Sequence, residues 1–284
     1  MRLRIAIQRS GRLADASLAL LKESGIGISN GLNKLKSEAD NFPAEAYFLR
    51  DDDIPQYVED GIADVGIVGE NVLLEKDRRV SLVSKLGFGT CRLSIAVPKD
   101  REFESCRDLE GMRIATSYPN ILFRYLAENN ITAEIHQISG SVEIAPGIGL
   151  ADAICDLVSS GSTLFLNGLK EAQVVLRSQA VLVQHESLSA SKRELLDMLL
   201  FRFNALQTAR NNKYILLNAP NDRLGRICEF LPGMKSPTIL PLAKEGWSSV
   251  HSVVSESEFW EIVESLKAHG AEGILVIPIE KMIV

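Results

Sequence analysis

Two short apolar runs with the same approach and the same kind of exit constrain this chain more than any other feature. Gly61-Ile-Ala-Asp64 leads into Val65-Gly-Ile-Val68, and Gly149-Leu-Ala-Asp152 leads into Ala153-Ile-Cys-Asp-Leu-Val158. The first run leaves through Gly69-Glu-Asn71 and the second through Ser159-Ser-Gly-Ser-Thr163, both small, polar helix starts. Short apolar runs suit buried strands, and a strand that repeatedly feeds a helix means a parallel α/β sheet. The echo predicts two similar α/β lobes facing each other across a cleft. Chance similarity of two strand–helix junctions is the plain alternative.

The rest of the chain fits that frame. Leu3, Ile5 and Ile7 alternate as in a strand, then Ser10-Gly-Arg12 breaks the pattern and a helix follows, with Ser10 expected as its cap. Ala46-Tyr-Phe-Leu49 reads as a second strand, and Arg50-Asp-Asp-Asp-Ile-Pro55 as a helix start. Strands are expected again at Arg92–Pro98, Met112–Thr116, Ala133–Ile138 and Ala153–Val158, with a short helix opening near Ser141. Val174-Val-Leu-Arg177 and Ala180-Val-Leu-Val183 are expected to run back to the first lobe. A long helix follows, opened by a capping box at Ser191–Glu194. From about residue 211 the order reads strand, helix, strand, strand, helix, strand, with a second capping box at Ser255–Glu258. That is the ferredoxin-like arrangement. The expected domains are 1–88 as a first lobe completed by about 175–210, 89–174 as a second lobe, and 211–284 as a small C-terminal domain.

For 284 residues, a formal net charge of −6 argues against a nucleic-acid binder, which usually shows a basic face, and leaves room for a local basic pocket for phosphates. No apolar run approaches the roughly 18 residues that span a bilayer, and the N-terminus turns polar too soon for a signal peptide. Cys91, Cys106, Cys155 and Cys228 are dispersed, and with four scattered histidines they make a zinc framework improbable. The expectation is a cytoplasmic protein with reduced thiols and no nucleic-acid or membrane partner.

The most informative stretch is Asp152 to Leu164. An apolar strand ends in five small residues before a helix. Small side chains let backbone N–H groups approach an anion, Ser159, Ser160, Ser162 and Thr163 add hydroxyls, and Gly161 permits a positive φ. The chemistry that suits this is a phosphate cradle, with Asp156 placed to accept hydrogen bonds from sugar hydroxyls. An N-capped helix start is the structural alternative.

This stretch resembles the phosphoribosyl-pyrophosphate loop of the ATP phosphoribosyltransferase family. Gln8-Arg-Ser-Gly-Arg-Leu13, Arg50–Pro55, Asp64-Val-Gly-Ile-Val-Gly-Glu-Asn71, Gly89-Thr-Cys-Arg-Leu-Ser94, Arg113–Pro119, Gly140-Ser-Val-Glu143, Ser236–Leu242 and Ile277–Met282 resemble segments of the family's long form in the same order. The resemblance implies two periplasmic-binding-protein-like lobes forming a catalytic cleft and an ACT-like third domain. It implies transfer of the phosphoribosyl group of 5-phosphoribosyl 1-diphosphate to N1 of the adenine of ATP, the first step of histidine biosynthesis. Mg²⁺ is the implied counter-ion of the leaving diphosphate, held through substrate phosphates rather than by assigned protein ligands.

The site residues follow from the same resemblance. Asp152, Asp156 and Ser159–Thr163 are assigned to phosphoribosyl pyrophosphate. Arg9, Arg12, Arg50, Asp64, Tyr118 and Glu143 are assigned to ATP. Asp156, Glu143 and Arg12 are the residues expected to carry catalysis. Thr238 and Gly273 are the expected contacts for free histidine as inhibitor, acting through a homo-oligomer that shifts from dimer to hexamer. A two-lobed solute-binding protein without catalysis is the competing reading.

Overall fold

The structure, a computed structural model, describes residues 1–28, 35–159, 161–231 and 233–284. It divides into two compact units, Met1–Leu196 and Asp197–Val284.

The first unit runs β1 (Leu3–Gln8), α1 (Arg12–Glu23), β2 (Lys36–Glu38), β3 (Ala44–Leu49), α2 (Ile54–Glu59), β4 (Val65–Gly69), α3 (Glu70–Lys76), β5 (Val80–Lys85) and β6 (Cys91–Pro98). It continues through β7 (Arg113–Thr116), α4 (Pro119–Glu128), β8 (Glu134–Gln137), β9 (Ala153–Val158), α5 (Ser162–Leu166), β10 (Leu169–Ser178), β11 (Ala180–His185) and the start of α6 (Ala190–Arg210). One sheet has the order β2-β3-β1-β4-β11-β5 and the other β10-β6-β9-β7-β8. The two-lobed α/β expectation is therefore met. Parallel pairs β3–β1–β4 form the centre of the first sheet, and β9–β7–β8 are parallel in the second, out to its β8 edge.

Burial explains the apolar runs. Every residue of β4 is buried, and so are Ala153, Ile154, Cys155 and Val158 of β9. Leu3, Ile5 and Ile7 of β1 are fully buried, each stabilising the fold by about 1.5–3 kcal/mol relative to exposure. In the second sheet one face packs Leu93, Ile95, Ile114 and Leu122, and the other packs Ala96, Val142, Ile154 and Leu164.

Several local expectations need correction. Only β11 returns to the first sheet; β10, which holds Val174–Arg177, stays in the second, paired along β6. The cap residue of α1 is Gly11, at φ 96°, not Ser10. Helix α6 already begins at Ala190, ahead of the expected cap at Ser191. Strands β2 and β5 were not anticipated: β2 is a polar triplet held by pairing with β3, and β5 is only half-buried, so neither carries a strong apolar pattern.

The second unit takes in the rest of α6, then β12 (Asn212–Pro220), α7 (Leu224–Glu229), β13 (Thr238–Pro241), β14 (Trp247–Ser255), α8 (Phe259–Ala268) and β15 (Glu272–Pro278). The order β13-β14-β12-β15 is antiparallel throughout, as the ferredoxin-like reading requires. Ile215, Leu217, Val250 and Val254 point to one face, against Ile227 and Leu266. The other face carries Tyr214, whose hydroxyl lies 2.7 Å from Nδ1 of His251, and Ser249, 3.1 Å from Nε2. Ser255 ends β14 and α8 starts only at Phe259, so the second capping box does not form.

Candidate functional site

The β9–α5 junction gathers most of the expected residues. A cavity of about 270 Å³ is lined by Asp156, Ser159, Gly161, Ser162 and Thr163 from this junction, Glu143 from the turn after β8, and Arg12 from the first lobe. Ser160 lies outside the described residues. Gly161 has φ 79°, a left-handed conformation that costs an L side chain about 1–2 kcal/mol. Helix α5 is only five residues long, so its dipole adds little. Asp156 lies opposite Ser94 on β6, and its Oδ1 accepts the N–H of Leu157 at 2.8 Å. Burial pushes its carboxyl above the usual range, and Glu143 adds to the shift. Arg12 reaches the cavity because Gly11 turns the chain sharply between β1 and α1.

A second cavity of about 280 Å³ lies between α3 and the loops after β7 and β8, and includes Lys76, Ser117, Tyr118 and Gly140. Tyr118 is held there by Asn71, whose Nδ2 donates to the phenol oxygen at 3.3 Å. Burial, with Asp156 nearby, raises the phenol above its ordinary value. Glu75 of α3 accepts the N–H groups of Asn120 and Ile121 at 3.0 and 2.9 Å, joining the first lobe to the start of α4. Asp51 is largely buried beside Asp52, and burial lifts its carboxyl to about 6. Its Oδ1 is a buried polar atom without a hydrogen-bond partner among the described residues.

Other expected residues lie elsewhere. Arg9 and Arg50 are exposed at the ends of the adjacent strands β1 and β3, close to each other but lining neither cavity. Asp64 and Asp152 precede β4 and β9, at the strand ends away from the β9–α5 junction. Both, expected to meet substrate, are engaged in ion pairs within the fold. Burial would raise Asp64, but Arg4 and Lys192 outweigh it and hold the carboxyl below its usual range. Arg113 holds Asp152 down at about 2. Thr238 is on the edge strand β13 and Gly273 on the opposite edge strand β15, with β14 and β12 between them. Four strands put those edges about 14 Å apart, too far for one amino acid to touch both in one protomer.

A network that no local sequence pattern announces lies beside the loop. Arg92 Nε and Nη2 donate to the two carboxylate oxygens of Glu171 at 2.5 and 2.6 Å, and Nη1 donates to the carbonyl of Ser159 at 3.1 Å. Ser94 Oγ donates to Glu171 at 2.7 Å. Arg92 and Ser94 are both in the Gly89–Ser94 segment, but their partner is about 80 residues away and nothing local announces it.

A family model described as ATP phosphoribosyltransferase matches residues 50–205, and one described as its C-terminal domain matches residues 209–281. An ATP phosphoribosyltransferase of Cytophaga hutchinsonii is 62% identical over 281 residues, covering 99% of this chain and 98% of its own length. One of Bacteroides thetaiotaomicron is 57% identical, covering 99% and 100%. A chain of the ATP phosphoribosyl transferase (HisG:HisZ) complex from Thermotoga maritima superposes with a TM-score of 0.60 at 29% identity, over 71% of this chain and 98% of that one. A histidine kinase sensor domain similar to periplasmic binding proteins gives a TM-score of 0.50 at 13% identity, over 73% and 90%, a likeness of fold alone.

Proposed function

The chain belongs to the ATP phosphoribosyltransferase family, and on that premise we propose that the Ser159–Thr163 loop takes the 5-phosphate of 5-phosphoribosyl 1-diphosphate while Arg12 and Glu143 meet ATP across the same cavity. The enzyme is a pentosyltransferase: N1 of the adenine of ATP displaces diphosphate from C1 of the ribose, giving 1-(5-phosphoribosyl)-ATP. The observation that carries the site assignment is the convergence of Arg12, Glu143, Asp156 and the loop on one cavity from separate parts of the chain.

The nucleophile is a neutral ring nitrogen, so the protein needs no strong base. Its task is to align N1 with C1 and to stabilise charge on the departing diphosphate. Asp156 holds the ribose hydroxyls, and the loop anchors the far end of the sugar. Arg12 supplies a cation at the point where the two anionic substrates meet. Tyr118, in the neighbouring cavity, offers a ring face to adenine or a hydroxyl to ribose. No three His, Cys, Asp or Glu side chains gather as a metal site among the described residues. The carboxylates of Asp156 and Glu143 beside the loop suit Mg²⁺ carried by substrate phosphates. When bound, that ion supplies neutralisation of the leaving diphosphate.

Free histidine is the proposed inhibitor, bound by the second unit near Thr238 and acting through a dimer–hexamer shift. The C-terminal family match and the ferredoxin-like sheet support this reading. Cytoplasmic location is part of the same proposal; among the described residues no helix is long and apolar enough to cross a membrane. The solute-binding alternative is not favoured, since transferases match over nearly the whole chain. The test is the absorbance change on mixing ATP, phosphoribosyl pyrophosphate, Mg²⁺ and pyrophosphatase with the parent and with Thr163→Val. The parent should turn over, and the variant should need about tenfold more phosphoribosyl pyrophosphate. Equal requirements in two folded proteins would remove Thr163 from the site.

A further inference from the structure

A loop that presents N–H groups to an anion must turn its carbonyls away, because an inward carbonyl oxygen repels the phosphate. Ser159 is the first residue of the loop, and Arg92 accounts for its carbonyl. The guanidinium donates Nη1 to that oxygen at 3.1 Å while Nε and Nη2 are both engaged by Glu171. Arg92 is not among the residues lining the cavity, so the donor that takes this carbonyl belongs to the sheet rather than to the site. Glu171 is itself fixed by the hydroxyl of Ser94, which is fully buried.

The strand register makes this an arrangement of the sheet rather than a chance surface pair. Arg92 lies opposite Val158, the last residue of β9, and Ser94 lies opposite Asp156. Arg92, Ser94, Asp156 and Val158 therefore share one face of the second sheet, the face on which the loop turns into α5. Glu171 reaches the same face from β10, at a register shift beside Ala172. At the other end of β6, Lys99 Nζ donates to the carbonyl of Phe165 at 3.0 Å, near the end of α5. Both ends of the loop–helix segment are thus tied to residues at the two ends of one strand.

We propose that Arg92, locked by Glu171 and Ser94, is a positioning residue for the phosphoribosyl-pyrophosphate loop: it fixes the Ser159 carbonyl outward so that the loop is set for the 5-phosphate before substrate arrives. The inference rests on the reading of Ser159–Thr163 as the phosphate loop. The role needs a planar fork: two donors go to the carboxylate and a third goes elsewhere. Lysine offers a point charge without that geometry.

The experiment measures steady-state constants for both substrates in Arg92→Gln, Arg92→Lys and Glu171→Gln, with Thr163→Val as a control on the loop. Arg92→Gln should raise KM for phosphoribosyl pyrophosphate about 10- to 100-fold and leave KM for ATP within about twofold. Arg92→Lys should recover only part of the loss, and Glu171→Gln should shift the same constant in the same direction. Circular dichroism melts establish that each variant is folded. The proposal is overturned if folded Arg92→Gln keeps the parent KM while Thr163→Val raises it, an outcome that leaves the loop reading standing. It is also overturned if both KM values rise together, or if lysine restores the parent value. If neither Thr163→Val nor Arg92→Gln moves the constant, the loop reading falls and this inference with it.

Discussion

Arg4 grips Asp64 through three donors at once: its backbone N–H at 2.9 Å, Nε at 3.2 Å and Nη2 at 2.7 Å. The same Nη2 also donates to the carbonyl of Gly61, and the N–H of Asp64 returns a bond to the carbonyl of Arg4. Arg113 and Asp152 repeat the arrangement, with backbone N–H, Nε and Nη2 at 3.0, 3.1 and 2.9 Å and a further bond from Nη1 to the carbonyl of Gly149. In each lobe the clamp ties the start of one parallel strand to the start of its neighbour. The Gly-x-Ala-Asp echo is therefore a repeated structural device, which weighs against chance.

Asp64→Ala should destabilise the first unit by about 3–5 kcal/mol, because it leaves Arg4 and Lys192 facing a buried gap. Urea unfolding followed by circular dichroism measures this. Asp152→Ala should cost less, since its pair is far more exposed. KM for ATP should stay at the parent value in folded Asp64→Ala; a large rise would return Asp64 to the substrate site.

Asp51 predicts a pH dependence. Its folded pKa of about 6 lies above its ordinary value of 3.8. Well below pH 4 the group is protonated in both states and costs nothing. As pH rises from about 4 to about 6 the unfolded chain ionises while the buried carboxyl resists, and stability falls by up to about 3 kcal/mol, levelling off once the folded state also ionises. Asp51→Asn should therefore raise the melting temperature at pH 8 and leave it unchanged at pH 4. An equal gain at both values would show that ionisation is not the cause. Asp152 has the opposite sign: held at about 2, it contributes stability above pH 4 that is lost as pH falls through 2.

Asp156→Asn should lower kcat about 10- to 100-fold if the carboxylate holds the ribose hydroxyls, with little change in the melting temperature. The buried neighbours on β9 keep the strand in place. Parent-like turnover would make Asp156 a strand-end polar residue only.

Thr238→Ala should move the histidine concentration for half-inhibition upward by about tenfold, read in parallel by activity and by sedimentation. An identical titration in parent and variant places the effector elsewhere. Gly273 is on the opposite sheet edge, so Gly273→Ala should not reproduce the Thr238 shift within one protomer.

What was legible in the sequence was local. The run from Asp156 to Thr163 announced a loop because small residues follow an apolar strand, and Arg12 and Glu143 joined it through the family resemblance. The second unit was legible because its helix and strand periods alternate cleanly. The pairing of Asp64 with Arg4 could not be read locally, because the two residues are 60 positions apart and a buried ion pair has no signature in either segment. The brace at Arg92 and the opposed edges of Thr238 and Gly273 depend on strand register, which no local pattern encodes. Strand β5 has no strong apolar pattern because it is a half-buried edge strand, paired on one side only, with β11.

The insertion of β11 between β4 and β5 means that the first lobe is not completed in the order in which it is synthesised. When β5 leaves the ribosome at residue 85, the strand that joins it to β4 has yet to be made, and it ends only at residue 185. At typical elongation rates that gap lasts about 5–20 s. Throughout it the nascent chain carries the open edge of β4, an apolar strand with unpaired backbone groups and no Pro or charge to block a stray partner. The second sheet, whose strands all lie between residues 91 and 178, can close first. The later half of the catalytic unit is thus positioned to fold ahead of the earlier one, with the interval before residue 185 as the period of greatest exposure to aggregation and to chaperone capture.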